Sequence, residues 1–228
     1  MSLEKITNKR QDEAKRRYDD ACGTAHALEL IGERWTLLVL RELMLGPRRF
    51  SELRADLPGI SANVLTQRLA ELEERGLARR VRLPPPANAQ VYQATEWGLE
   101  AEPIVQALGR WAARSPRHDP TLPISGVSIL LSFRTMLSAK RAKGFDGRIG
   151  FVFGRDHYVA RIRKGRIKVA RGDVTEADAT LSGPPTAIAA VVYGGAPLDL
   201  VGVTGDRALA ERFTTLFPLP AKVGAEER

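Results

Sequence analysis

The chain has 228 residues, 43% of them hydrophobic and 27% charged, which is enough apolar material to bury a core and excludes a wholly disordered chain. Basic residues outnumber acidic ones 35 to 27, a formal net charge of +8 that suits a polyanionic partner and serves solubility equally well. The single cysteine, Cys22, excludes an internal disulfide framework and any multi-cysteine metal site, and no run reaches the about 18 apolar residues of a membrane span. With no signal-peptide stretch in the charged N-terminus, the expected setting is cytoplasmic, without membrane insertion.

Residues 1–20 are polar, with Lys9, Arg10, Lys15, Arg16 and Arg17 among Asp12, Glu13, Asp19 and Asp20, and read as a solvated arm. Ala25, Leu28 and Ile31 form a helical stripe that Gly32 interrupts. Residues 35–45 are apolar nearly all round and predict a central helix, stopped by Gly46-Pro47. A short helix over 51–56 turns Phe50, Leu53 and Leu57 inward, and Leu57-Pro58-Gly59-Ile60 makes a tight turn. Ser61 then caps a helix that runs to residue 75, with Leu65, Leu69 and Leu72 as its buried seam and Asn63, Gln67, Ala70 and Glu74 opposite. Two helices joined in this way make a helix-turn-helix. Residues 78–83 alternate, 84–90 are turn-rich and 91–94 return, which predicts a hairpin, the wing. Thr95 caps a last helix striped by Trp97, Ala101, Ile104, Val105, Leu108, Trp111 and Ala112, in which Pro103 predicts a bend or a lost hydrogen bond.

The motifs Leu30-Ile31-Gly32-Glu33-Arg34-Trp35, Gly46-Pro47-Arg48-Arg49-Phe50-Ser51-Glu52-Leu53, Gly59-Ile60-Ser61, Leu65-Thr66-Gln67-Arg68-Leu69 and Thr95-Glu96-Trp97-Gly98 resemble those of the HxlR family of bacterial transcriptional regulators. One departure is Gly23, which follows Cys22 where the family often has proline. The resemblance implies a homodimer that reads a palindromic operator in double-stranded DNA, probing the major groove with the helix that Ser61 opens. Base reading then falls to Ser61, Asn63, Thr66 and Gln67, the short hydrogen-bonding residues at its N-terminal end. Phosphate contacts fall to Arg48, Arg49, Arg79, Arg80 and Arg82, each of which also reads as an ordinary solvated rim residue. Arg68, near the edge of the leucine seam, reads instead as an internal salt-bridge partner. The stripe of Trp97, Ile104, Leu108 and Trp111 either covers its own core or pairs with a second subunit, and the resemblance favours pairing.

Residues 116–123, with three prolines counted from 116, read as a linker between a unit at 21–115 and a second at 124–222. The first 115 residues carry 18 basic against 16 acidic groups and the remainder 17 against 11, so the basic excess is concentrated in the second half. There a helix over 128–143 precedes alternating segments at 147–153, 157–163 and 166–171, a further strand at 178–182, and helices at 185–193 and 206–217. The expected fold class is α+β, an antiparallel sheet covered on one face by helices behind a winged helix-turn-helix. The order of elements resembles a sterol-carrier-protein-type domain. That resemblance implies a small apolar ligand held by Phe133, Leu137, Phe151, Ile188, Val192, Phe213 and Phe217, all of which also read as plain core. Arg161, Arg163, Arg166 and Lys168 point away from the apolar set, and serve either as a solvated sheet face or as a phosphate or acidic-partner surface.

No phosphate-binding glycine loop, metalloprotease helix or nucleophile elbow occurs, and His26, His118 and His157 are scattered, so neither enzyme nor cofactor nor metal is expected. Cys22 reads as an inert thiol or as a redox sensor of the kind some relatives carry. The chain reads as a homodimeric DNA-binding regulator, a repressor with an apolar-ligand-sensing C-terminal half. The alternatives are a lipid carrier in which the winged helix serves dimerisation, and a regulator whose C-terminal half is only an assembly module.

Overall fold

The structure, a computed structural model, describes residues 18–224; the expected polar arm lies, up to residue 17, outside the described residues. The N-terminal half contains α1 (Gly23–Ile31), α2 (Thr36–Glu42), α3 (Phe50–Asp56) and α4 (Ala62–Glu74), then the hairpin β1 (Ala78–Arg82) and β2 (Gln90–Ala94), and finally α5 (Glu96–Leu99) and α6 (Glu102–Ala112). Leu40, Leu53, Leu65, Leu69 and Leu72 meet at its centre with no more than 1% exposure.

Two boundaries differ from the periodicity. The central helix was expected from residue 35, but Trp35 adopts left-handed backbone (φ 77°) and only caps it, which turns its ring toward Gly59 of the tight turn. The single helix expected after Thr95 is two. The Thr95 hydroxyl accepts from the Gly98 amide at 3.0 Å and opens α5, which ends after one turn at the Glu100 C-cap, while Pro103 falls in the first turn of α6, where no helical donor is needed. Gly98 itself is compelled by packing, since a Cβ there would lie 2.0 Å from the Leu77 carbonyl oxygen.

The C-terminal half runs α7 (Gly126–Met136), β3 (Gly147–Phe153), β4 (Asp156–Arg163), β5 (Arg166–Arg171), β6 (Ala179–Ser182), α8 (Pro185–Gly194), a 3-10 turn (Leu198–Leu200), β7 (Gly202–Gly205) and α9 (Arg207–Thr214). The helix expected to reach residue 143 stops at Met136, because Leu137 turns extended and the Ser138 amide donates to the Leu216 carbonyl at 3.0 Å. The sheet order is β5-β4-β3-β6-β7. It is mixed, which corrects the expected antiparallel sheet. From the edge strand β5 the chain crosses the outer face and enters β6 parallel to β3, pairing Ile149 with Ala179 and Phe151 with Leu181. Gly150 makes room for that crossover: a Cβ there would sit 2.9 Å from Cβ of Val174. The short fifth strand β7, bounded by Gly202 and Gly205, has too little side-chain alternation to be read from sequence.

Residues 114–125 carry neither helix nor strand, yet the halves share one apolar core in which α7 packs on α6 and α2. Polar links cross the same junction. Glu42, fully buried in α2, accepts from Ser125 Oγ at 2.8 Å and from Arg41 Nη2 at 2.7 Å, and desolvation raises its pKa. Arg134 of α7 donates to Glu102 of α6 at 2.6 Å. Arg48 pairs with Asp56 of its own half and, at 2.5 Å, with Asp156 of the other.

Removing one partner of a buried ion pair costs about 3–5 kcal/mol, and Asp56 and Asp156 keep 25% and 28% side-chain exposure, so water recovers part of that. Arg48→Ala is therefore expected to lower unfolding free energy by about 2 kcal/mol in equilibrium urea denaturation; an unchanged midpoint would show the cluster to be energetically neutral.

Candidate nucleic-acid interface

Two helices of the N-terminal half carry the residues expected to read DNA, and the rigidity of that surface begins with the cap. Ser61 Oγ accepts from the Val64 amide at 3.2 Å and opens α4. From below, Leu65, Leu69 and Leu72 lock the helix onto α2, and Arg68, 5% exposed, reaches Glu33 at 3.1 Å and Glu71 at 3.2 Å, the internal role read from its position. Arg75 donates to the Leu30 carbonyl at 2.6 Å, so the middle and the C-terminal end of the helix are tied to the last turn of α1 and the loop after it. Gly59, at φ +90°, gives the preceding turn a conformation that side chains rarely adopt, and the Trp35 ring supports it.

On the opposite side Ser61, Asn63, Thr66 and Gln67 are all exposed. Thr66 Oγ1 donates to the Ala62 carbonyl at 2.9 Å, and Gln67 reaches Glu71 at 3.2 Å, an exposed contact that a base edge can replace. Asn63 has no hydrogen-bond partner among the described residues.

The five arginines separate. Arg49, which opens α3, is exposed and its guanidinium has no partner among the described residues. Arg79, Arg80 and Arg82 are exposed on β1, held lightly by Gln93 at 3.4 Å, Glu73 at 3.2 Å and Asn88 at 3.1 Å, with Arg80 also lying over the Tyr92 ring. Arg48 is a correction. Only 3% exposed, it exchanges both backbone hydrogen bonds with Tyr92 of β2, at 2.9 and 2.8 Å, and its guanidinium turns inward to Asp56 and Asp156. Burial opposes its charge, but the two carboxylates outweigh burial and hold it firmly protonated. It is an interior strut, unavailable to phosphate. Its partner Asp156 stands 108 positions away, beyond the reach of any local pattern.

The expected ligand-holding residues pack against one another. Phe133 meets Phe217, Phe213 and Phe151 at ring distances of 4.7, 5.3 and 5.7 Å, Ile188 is fully buried, and Leu137 and Val192 lie partly buried against the same core. The rings pack on one another as the plain-core reading of these residues expects. The open space of this half lies elsewhere. One cleft of about 280 Å³ sits at the junction between Asp56, Val127, Phe153, Tyr158 and Pro184; another, of about 270 Å³, lies beside Arg148, Val159 and Glu176. None of the seven lines either cleft.

Along α6, Ile104, Leu108 and Trp111 are 46%, 45% and 74% exposed, and Trp97 of α5 is 48% exposed. No residue of α6 is buried. Leu28 and Tyr18, at 48% and 53%, add to the apolar surface from α1 and the segment before it. Cys22 is exposed at the N-cap of α1, where hydrogen bonding from Thr24 lowers its pKa. Among the described residues there is no cluster of three or more His, Cys, Asp or Glu able to hold a metal, and no helix long and apolar enough to cross a membrane. The rate of Cys22 alkylation against pH should accordingly show a midpoint below the about 8.5 of a free cysteine; a midpoint at or above that value would contradict the stabilised thiolate.

Residues 30–119 match the family described as HxlR-like helix-turn-helix. The chain is 37% identical over 86 residues to the HTH-type transcriptional regulator YodB of Bacillus subtilis, covering 38% of this chain and 77% of that protein. It is 42% identical over 94 residues to YkvN of the same organism, described as an uncharacterised HTH-type transcriptional regulator, covering 40% and 77%. Among solved structures, the reduced form of YodB from B. subtilis aligns with a TM-score of 0.39 at 33% identity, covering 44% of this chain and all of that one. The matched stretch contains the braced helix α4, its turn and its wing, the parts with which such regulators bind DNA. By motif and sequence kinship, the chain belongs to the HxlR-like helix-turn-helix family.

Proposed function

We propose that the protein is a homodimeric repressor whose α4 reads operator bases through Ser61, Asn63, Thr66 and Gln67 while Arg49, Arg79, Arg80 and Arg82 grip flanking phosphates. The observation that carries this reading is the division of α4: a leucine-and-arginine side fixed to the domain, and an exposed N-terminal edge of short hydrogen-bonding groups. Asn and Gln pair bidentately with adenine in the major groove, each such pair discriminating by about 1–3 kcal/mol. The exposed arginines lie on the two elements that flank α4 in sequence, and phosphate contacts from them would fix its register on the duplex without reading sequence.

The unburied stripe of α5 and α6 supports the dimer. A helix with no buried residue and Trp111 facing water, next to the exposed Trp97 of α5, is a poor monomer surface, and a two-fold axis through it would cover the same patch on both subunits. Pairing of this kind sets two copies of α4 against half-sites about one duplex turn apart, hence a palindromic operator. The order of helix, three-strand meander, strand, helix, strand, helix supports a sterol-carrier-type assignment for residues 124–222. With the aromatic interior closed, that half is read as a buttress and assembly unit. The exposed Cys22 thiol, with its lowered pKa, is the group that would answer an oxidant.

Selection of duplexes by the purified protein from a random library should return an inverted repeat, and Asn63→Ala/Gln67→Ala should weaken that duplex by about 100-fold at fixed salt while leaving mixed-sequence binding nearly intact. Equal losses on both would assign base reading elsewhere. Trp111→Asp/Leu108→Asp should sediment as a monomer with unchanged secondary structure; retention of the dimer mass would remove the α6 interface.

A further inference from the structure

The outer face of the five-stranded sheet carries a ladder of cations that the fold does not require. Strand register sets Lys168 of β5 directly opposite Arg161 of β4, and Arg161 directly opposite Arg148 of β3; one step along, Arg166 faces Arg163. Neighbouring strands lie about 4.8 Å apart, so the first row sets three like charges within about 10 Å. Like charges placed directly opposite in a sheet disfavour folding.

Anionic neighbours relieve only part of the ladder. Arg148 pairs with Glu176 at 2.9 Å, and Arg163 with Asp146 at 3.5 Å. Asp173 lies with Glu176 on the crossover, at the β3 end of the row. Arg161, Arg166 and Lys168 are exposed and have no ion-pair or hydrogen-bond partner among the described residues. Protection of the edge strand against aggregation accounts for Arg166 and Lys168 on β5. It does not account for Arg161 and Arg163, because β4 is paired on both sides.

We propose that this face is a second DNA-binding surface, which takes duplex phosphates on Arg161, Arg163, Arg166 and Lys168. An array of cations in register on a hydrogen-bonded sheet, three of them unpaired and Arg163 held only by an exposed contact to Asp146, complements the regularly spaced charge of a duplex backbone, and it needs no base-stacking aromatic ring because it reads no sequence. The inference rests on DNA being the partner of the winged helix, which brings a dense polyanion close to the second half of the chain. The phosphates belong either to flanks of the duplex bound by α4 or to a second duplex.

The test uses the full chain, mixed-sequence duplexes of about 20 and about 40 base pairs, and Kd measured between about 50 and 200 mM salt. Each phosphate contact contributes about 0.9 to the slope of log affinity against log salt, so Arg161→Ser/Arg166→Ser/Lys168→Ser should lower the slope by about 2 to 3. A loss confined to the longer duplex assigns the flanks. Loss of energy transfer between two differently labelled duplexes, present with the parent protein, assigns a second duplex. The charge-keeping Arg161→Lys/Arg166→Lys should retain the parental slope, and the serine variant should melt no lower than the parent because like-charge opposition is relieved. An unchanged slope at both lengths without duplex bridging overturns the proposal, and so does the same outcome accompanied by lost binding to vesicles of anionic lipid, which would assign the face to a membrane surface. Failure of DNA binding by the winged helix would show differently, as a parent protein with no affinity for either duplex.

Discussion

Burial of Arg48 is the constraint on which the rest of this structure depends. An arginine with 3% exposure is stable only where its charge is answered, and here the answer comes from both halves, Asp56 at the end of α3 and Asp156 at the start of β4. Asp156 is shared with Arg171 at 2.5 Å, and Arg171 donates to Tyr158 Oη at 2.7 Å and lies over its ring. Burial works against the charge of Asp156, but hydrogen bonds from the two arginines outweigh it and lower its pKa, whereas desolvation raises that of Asp56. The chain of contacts therefore runs from the helix that precedes the recognition turn, through one arginine, into the edge region of the second sheet.

That connection changes what the second half can do for the first. Its aromatic residues pack on one another, and the junction cleft beside Asp56, Asp156 and Tyr158 is where a change in the C-terminal half would first be felt by α3. Asp56 immediately precedes Leu57-Pro58-Gly59-Ile60, the turn that aims α4. A shift at the ion cluster has a short mechanical route to α4.

Much of the N-terminal half was legible because local chemistry determines it. Ser61 followed by a leucine seam predicts a capped amphipathic helix, and alternation around a proline-rich turn predicts the wing; both occur within a residue or two of their expected bounds. The exposed edge of α4 follows from the same seam, since fixing one side of a helix leaves the other free. The remainder is non-local. The inward turn of Arg48 needs Asp156, the parallel β3–β6 pairing needs a crossover that only Gly150 and Val174 hint at, and the left-handed Trp35 answers the turn at Gly59. A list of apolar residues could not separate a pocket from a packed cluster, because Phe133, Phe213 and Phe217 satisfy either description until their ring distances are known.

The claim that a buried arginine welds the two halves into one cooperative body has a direct measurement. All three tryptophans, Trp35, Trp97 and Trp111, lie in the N-terminal half, so their fluorescence reports that half alone while calorimetry reports the whole chain. The account predicts one calorimetric transition that coincides with the fluorescence midpoint, and its separation into two in Arg48→Ala. Two well-separated transitions in the unaltered protein, with only one of them visible to the tryptophans, would contradict it.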